Sequence, residues 1–387
     1  MNILIIGSGM YVTGRKNSGV GTVLSSLAQS SKTIPIDEVV VACRSEMSAQ
    51  EVAFARDRIN SKLKTALEVS CRIINSENDC QLLCIEKSFD LAIIAIPDNL
   101  HYTYTNITIN EGIHTLVVKP FTPTCSEAEK LIDSCAKNNV YGAIEFHKRF
   151  DEANLYVKKQ ICEGLIGNIS YITIDYSQKI SIPTSVFKDW AKQTNIFQYL
   201  GVHYVDLIYF ITGYKPVRLT AWGNKDQLKN QGIDTYDSIQ VSIVWQGTNR
   251  HQFASSFNTN WIDPVKTSAM SDQKFKIIGT EGRVECDQKN RGVEFVSSRD
   301  GVQQINPYFS EYLLNSNGQL DFCGYGHRSI FTFLNDVLNI KNGSTSPSDL
   351  TNIRPSFKES LVSVRVTEAV GYSLSSHSAW INIDTDI

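Results

Sequence analysis

The sequence predicts an α/β chain in two parts, the first a parallel sheet covered by helices and the second, from about residue 150, one broad open sheet. Three observations predict it. Ile3-Leu4-Ile5-Ile6 runs without polar alternation into the glycine turn Gly7-Ser8-Gly9, as a strand buried on both faces does. Strand and helix patterns then alternate through the first third, which argues for parallel pairing. Beyond residue 150, longer stretches of period two take over and helices become fewer.

The first strand ends in a loop whose glycines let a pyrophosphate approach the backbone, facing the N–H groups and positive dipole end of a following helix. The pattern G-x-G-x-x-G/A is two-thirds present, because Val12 stands at the third small position and glycines continue at Gly14, Gly19 and Gly21. A plain tight turn would look the same. What favours a dinucleotide is Val20, Val23, Leu24 and Leu27, spaced i, i+3, i+4, i+7, which place an amphipathic helix after the loop. The second strand, residues 39–42, ends in Cys43-Arg44-Ser45. A carboxylate at that end grips the ribose hydroxyls of NAD, whereas Arg or Ser accommodates the 2′-phosphate of NADP, so Arg44 and Ser45 favour NADP(H) over NAD(H).

Ser48 to Glu51 reads as a capping box opening a helix over Val52, Ala55 and Ile59. Residues 89–97 form an apolar strand halted by Pro97, with Asp98, Asn99 and His101 just beyond, at the edge where parallel sheets bind ligands. Residues 115–118 are another strand, closed by Lys119-Pro120. Lys119 either reaches solvent or points into the crevice beside a nicotinamide and polarises a substrate oxygen. Ser126 and Glu127 cap a further helix, residues 141–145 begin the last strand of this part, and His147-Lys148-Arg149-Phe150 follows.

In the second part, residues 171–176, 217–222, 238–245 and 250–257 and the hairpin-like stretch 274–285 read as strands, with helices at 329–338 and after Phe357. Between the first two of these strands, His203, Asp206, Leu207 and Phe210 sit at i, i+3, i+4, i+7. The histidine therefore shares the buried face of an aromatic helix, with Tyr199 four residues before it. A core histidine bonded to a carboxylate is the plainer reading of the helix alone.

With 387 residues, 42% hydrophobic and 20% charged, the chain is globular and long enough for two cores. A net charge of −3 supplies no general attraction for nucleic acid or acidic membranes. The N-terminal apolar run is too short to span a membrane and lacks the charged start of a signal peptide, so a soluble cytoplasmic protein is expected. Nine cysteines lie scattered with no C-x-x-C pair and no histidines at ligand spacing, which predicts idle thiols and no metal.

The segments GSG at 7–9, FDLAIIAIPDNLH, VVKP, HKRF, GLIG and GVHYVD occur in the order of the glucose-fructose oxidoreductase / inositol dehydrogenase (Gfo/Idh/MocA) family, which the chain resembles over nearly its whole length. The resemblance implies an N-terminal Rossmann domain, residues 1–147. It implies a C-terminal α+β domain, residues 148–387, with a large open, mainly antiparallel sheet whose exposed face makes a homodimer or homotetramer. It implies hydride transfer between NAD(P) and a hydroxyl or ketone of a sugar, sugar nucleotide or cyclitol. Cofactor contacts are then expected from Gly7, Gly9, Met10 and Tyr11 at the turn, from Arg44 and Ser45, and from Ile96, Pro97, Asn99, His101 and Lys119. Substrate contacts are expected from Lys119, Arg149, Trp190, Tyr199 and His203.

Lys119 matches the lysine of the family's E-K-P motif and His203 the histidine of its D-x-x-x-H segment. Val118 replaces the usual glutamate, His147 a frequent asparagine, and Tyr199 the aspartate before the histidine. Hydride transfer needs a proton to join or leave the oxygen, and His203, titrating near ~6.5, suits that task. Tyr199, starting near ~10, would need a cation such as Lys119 to lower it. An amine from the first half and an imidazole from the second are thus expected to share one crevice with the nicotinamide. A non-catalytic NAD(P)-binding sensor of sugar metabolism is the alternative, and the retention of Lys119 and His203 argues against it.

Overall fold

The computed structural model describes residues 1–14, 20–188 and 190–384. The chain forms two compact units, one of Met1–Asp151 with Tyr308–Leu361, the other of Glu152–Pro307 with the chain from Val362 onward. This division differs from a single cut at residue 147, because residues 308–361 cluster with the N-terminal segment.

In the first unit, strands β1 (Asn2–Ile6), β2 (Glu38–Cys43), β3 (Val69–Ile73), β4 (Leu91–Ile94), β5 (His114–Val118) and β6 (Gly142–Glu145) form one sheet in the order β3-β2-β1-β4-β5-β6. Every pairing is parallel. This is the doubly wound order whose direction of winding reverses between β1 and β4, the place where such sheets bind nucleotides. Both faces are covered, which is why Ile3, Leu4, Ile5 and Ile6 are all buried. The helix Tyr325–Lys341 lays Ile330, Phe333, Leu334 and Val337 into the same core as Ile3, Leu91 and Leu116. Its apolar spacing was legible; the unit to which it belongs was not.

Local starts differ from expectation by two or three residues. The helix Glu46–Leu63 is capped by Ser45, whose hydroxyl accepts from the Ser48 amide, and Cys125–Asn138 is capped by Thr124. Serines and threonines at successive positions make several registers of the capping pattern possible, and the outermost wins. The helix expected from Val20 begins at Thr22, and what directly follows the glycine turn is only the short helical turn Met10–Thr13. Gly19 lies outside the described residues.

The second unit is built on a seven-stranded sheet, with β7 (Ile169–Lys179), β8 (Lys215–Asn224), β9 (Ser238–Gln246), β10 (Gln252–Asp263), β11 (Ser271–Gly279) and β12 (Arg283–Asp287) in the order β12-β11-β7-β10-β9-β8, closed by the short Ile381–Asn382. Its neighbours pair antiparallel except β7 with β10. Alternate residues face a core holding Trp245, Phe257 and Trp261, while Tyr171 and Trp222 stay exposed on the strands. The helix Val202–Thr212 is buried all round from Val202 to Ile208 rather than on one face, and Phe210, expected inside, is half-buried under the Lys158 ammonium.

Candidate functional site

In the first unit, polar groups converge at the carboxyl ends of β1, β4, β5 and β6. The Gly7 amide donates to the Ala42 carbonyl at 3.0 Å and the Ala95 amide to the Ile6 carbonyl at 2.9 Å, which pins the end of β1 between its neighbours. Gly7 has φ +106°, and a Cβ there would stand 2.3 Å from the Ala95 oxygen. Gly9 differs. It is exposed, and a Cβ on it would meet nothing within 4 Å among the described residues, which leave the backbone on that side open to a ligand. A glycine demanded by conformation beside one that keeps an approach clear is what a pyrophosphate cradle requires, and these residues fit a dinucleotide.

His101, expected to touch the cofactor, is 1% exposed, with Nδ1 2.8 Å from the Pro120 carbonyl oxygen and Nε2 2.9 Å from that of Ile96. It clamps the segment after β4 to the segment after β5 instead of offering a free edge. Pro97 and Asn99 are exposed, and Met10 and Ile96 partly so. Arg44 projects from the end of β2 into solvent, whereas the Ser45 hydroxyl is engaged at the helix start described above.

Lys119 directly follows β5, and its bond to Pro120 is cis. Burial drives its amine down to about 7, opposed by the negative charges of Glu145 and Asp98. Asp98 is buried at the turn after β4, and its carboxylate accepts from the Asn99 amide at 3.1 Å. Glu145, 1% exposed at the end of β6, stands beside Val118 in the β5–β6 register and has Oε2 3.0 Å from His147 Nδ1. The Tyr11 hydroxyl is buried, and burial together with Glu145 raises its pKa well above the ordinary phenol value. The His147 ring packs against Phe309 and Tyr325. Arg149, expected at the substrate, is buried with its guanidinium 3.7 Å from the Glu359 carboxylate. Glu145 and Asp98 were missed as site residues, although a carboxylate at the end of an apolar strand was signal enough for the first.

In the second unit, a wide π-helical turn, Phe197–Gly201, leads into the helix that carries His203. Gly201 is required there, since a Cβ would meet the Phe197 ring at 2.5 Å. His203 is 4% exposed with the Tyr176 ring 6.4 Å away, and Asp206 is buried one turn on. Tyr199 sits in an aromatic nest with Trp190 at 5.3 Å, Trp261 at 5.5 Å and Phe187 at 5.8 Å. Burial pushes its phenol up to about 12 against a hydrogen bond to Gln178, which also accepts from the Trp261 indole at 3.0 Å. That value moves Tyr199 away from proton exchange near neutrality.

Among the described residues no cluster of three or more histidines, cysteines or carboxylates could hold a metal, and no helix is long and apolar enough to cross a membrane.

Residues 1–146 match a family model described as an oxidoreductase family with an NAD-binding Rossmann fold, and residues 154–285 match the GFO/IDH/MocA C-terminal domain. A scyllo-inositol 2-dehydrogenase (NADP(+)) of Bacillus subtilis is 28% identical over 162 residues, 41% of this chain and 43% of that protein. A D-glucoside 3-dehydrogenase of Escherichia coli is 23% identical over 148 residues, 36% of this chain and 41% of its own. These matches span less than half of either relative. A scyllo-inositol dehydrogenase from Lactobacillus casei, solved with NAD(H) and scyllo-inositol, superposes with a TM-score of 0.69 at 15% identity, covering 99% of this chain and 98% of that one.

Proposed function

Because the chain belongs to the Gfo/Idh/MocA oxidoreductase family, we propose that it is an NAD(P)-dependent dehydrogenase acting on a CH–OH or ketone carbon of an inositol or sugar. The observation that carries this reading is the half-buried Lys119, its amine depressed by desolvation, with the buried Asp98, Glu145 and His147 at the carboxyl ends of the parallel strands. A nicotinamide, when bound, accepts or supplies the hydride. Gly7, Gly9, Met10, Tyr11, Ile96, Pro97 and Asn99 hold it, and Arg44 and Ser45 meet the adenosine end, which favours NADP(H). Lys119 steadies the charge on the substrate oxygen, a task worth ~3 kcal/mol for a preorganised donor. His203 takes or returns the proton, and Trp190 and Tyr199 form an aromatic wall for the apolar face of a sugar or cyclitol ring. The exposed sheet face bearing Tyr171 and Trp222 supports a homodimer or homotetramer.

The test is to titrate purified protein with NADPH and NADH, then follow the nicotinamide absorbance with a panel of inositols and of aldoses and ketoses in both directions. Turnover is expected with at least one substrate, and Lys119→Ala and His203→Ala should each lower it at least about tenfold. Binding of NADPH without turnover on any of them rejects the dehydrogenase reading in favour of a sensor.

A further inference from the structure

We infer that Tyr312 is a positioning residue of the dinucleotide site: its hydroxyl, brought by a hairpin late in the chain, fixes the glycine-rich segment that leads away from the Gly7-Ser8-Gly9 turn. The inference rests on the dehydrogenase reading above for its meaning, but one of its two tests needs no ligand.

The contacts run in one line from the hairpin to the turn. Tyr312 belongs to the paired strands Glu311–Leu314 and Leu320–Cys323, which pack on the helix Thr22–Ser30. Asp321 accepts from Lys32 at 2.9 Å and from the Gln29 side chain at 3.2 Å, and the Phe322 amide donates to Gln29 Oε1 at 3.0 Å. So anchored, the hairpin delivers the Tyr312 hydroxyl to within 2.6 Å of Ser25 Oγ. Ser25, fully buried, has one hydroxyl proton and gives it to the Val20 carbonyl at 2.8 Å. Tyr312 is therefore the donor in the first bond, and each bond polarises the next. The Lys62 ammonium, 4.6 Å over the Tyr312 ring, holds that ring by its face.

Val20 matters because of the residue after it. Gly21 has φ +67°, and its backbone lies so close to Thr13 and Gly14 that a Cβ would stand 2.5 Å from the Thr13 carbonyl carbon and 2.7 Å from the Gly14 nitrogen. Thr13 is in turn tied to the turn itself. Its amide donates to the Gly9 carbonyl at 3.0 Å, and its hydroxyl lies 3.2 Å from the Ser8 carbonyl oxygen and 3.3 Å from that of Gly9. The Arg58 guanidinium donates to the Thr13 carbonyl at 2.9 Å. A pyrophosphate cradle works through backbone amides held in place before the ligand arrives. Freedom at Val20 would pass through Gly21 and Thr13 to Gly9, and the Tyr312 hydroxyl is what removes it.

Amide hydrogen exchange on the protein without ligand, and calorimetric titration with NADPH, ADP-ribose and 2′-AMP, test the assignment. Tyr312→Phe keeps the ring and removes only the hydroxyl, and Ser25→Ala breaks the same line one step on. Ser26→Ala deletes a neighbouring buried hydroxyl that has no hydrogen-bond partner among the described residues, and is the control. Tyr312→Phe and Ser25→Ala should each speed exchange in peptides covering residues 9–14 at least about threefold. Each should weaken NADPH and ADP-ribose, which carry the pyrophosphate, at least about threefold, and leave 2′-AMP, which lacks it, within about twofold. The double variant should lose no more than the worse single one, because both changes break one line. Ser26→Ala should alter none of these. Unchanged exchange at 9–14 in both variants, or 2′-AMP weakened as much as ADP-ribose, overturns the assignment and leaves Tyr312 a merely structural role. Wild-type protein that binds no dinucleotide removes the dehydrogenase reading instead, and the exchange result still decides whether Tyr312 holds the turn.

Discussion

Replacing Gly7 or Gly9 with alanine separates a glycine that the fold needs from one that the ligand needs. At Gly7 the φ of +106° is a conformation that L side chains rarely adopt, and the added Cβ would lie 2.3 Å from the Ala95 oxygen and 2.9 Å from Ile96 Cγ2. Real Cβ contacts essentially never fall below 3.0 Å, so the end of β4 must retreat by at least 0.7 Å. The backbone strain costs about 1–2 kcal/mol and the forced shift about 1–3 kcal/mol, giving about 2–5 kcal/mol of lost stability. Gly9 has φ −68° and no described residue within 4 Å of its Cβ, so Gly9→Ala should leave stability within about 0.5 kcal/mol. Its methyl would instead stand where a pyrophosphate approaches, and dinucleotide affinity should fall at least about tenfold, or 1.4 kcal/mol. Urea unfolding and NADPH fluorescence titration on both variants measure the two effects. Equal unfolding midpoints for the two variants, or unchanged NADPH affinity in Gly9→Ala, would refute the reasoning.

Three further outcomes are expected. Arg44→Ala should weaken NADPH binding by about 1–2 kcal/mol with little change for NADH, as befits one phosphate contact; equal losses for both cofactors would remove Arg44 from that role. Tyr199→Phe should keep turnover within about threefold of wild type, since a phenol held near 12 is a poor proton donor at neutrality; a hundredfold loss would return Tyr199 to the chemistry. Lys119→Met should make the protein more stable while it inactivates it. The native amine, near 7, is depressed from its free value of 10.5, so between these pH values the unfolded chain holds a proton that the native state has shed, and native stability rises with pH. The penalty is fully present below about 7 and vanishes toward 10.5. With solvent screening allowed for, the gain from methionine should be about 1–3 kcal/mol near pH 7 and shrink as pH rises; a gain that grows with pH would contradict this.

The parallel sheet was legible because most of its strands, β3 apart, are short apolar runs buried on both faces, and Lys119 because it directly closes one of them. The second sheet was legible from its period of two. Other features depend on which strands are neighbours, and one sequence does not encode that locally. Glu145 reads as an isolated acid until β5 and β6 are paired and Val118 is found beside it. His101 reads as a ligand until two backbone carbonyls from distant turns are seen to take its ring nitrogens. Strand β3 and the helices Glu77–Glu86 and His101–Asn110 carry too many polar residues for an apolar pattern to stand out. The caps slipped by two or three residues because Ser45 and Thr124 offer the same chemistry as Ser48 and Ser126.

The first unit is assembled from pieces made far apart in time. Its last strand ends at Glu145, yet the helix that seals one side of the sheet starts only at Tyr325, 180 residues later. At ribosomal speeds of about 5–20 residues per second, Ile3, Leu91 and Leu116 wait for roughly 10–40 s without that cover while β7 to β12 of the second sheet are translated. During that interval the nascent chain presents a bare aliphatic surface, so its yield should track holdase capacity and growth temperature, and a fragment cut after residue 151 should precipitate for want of its lid.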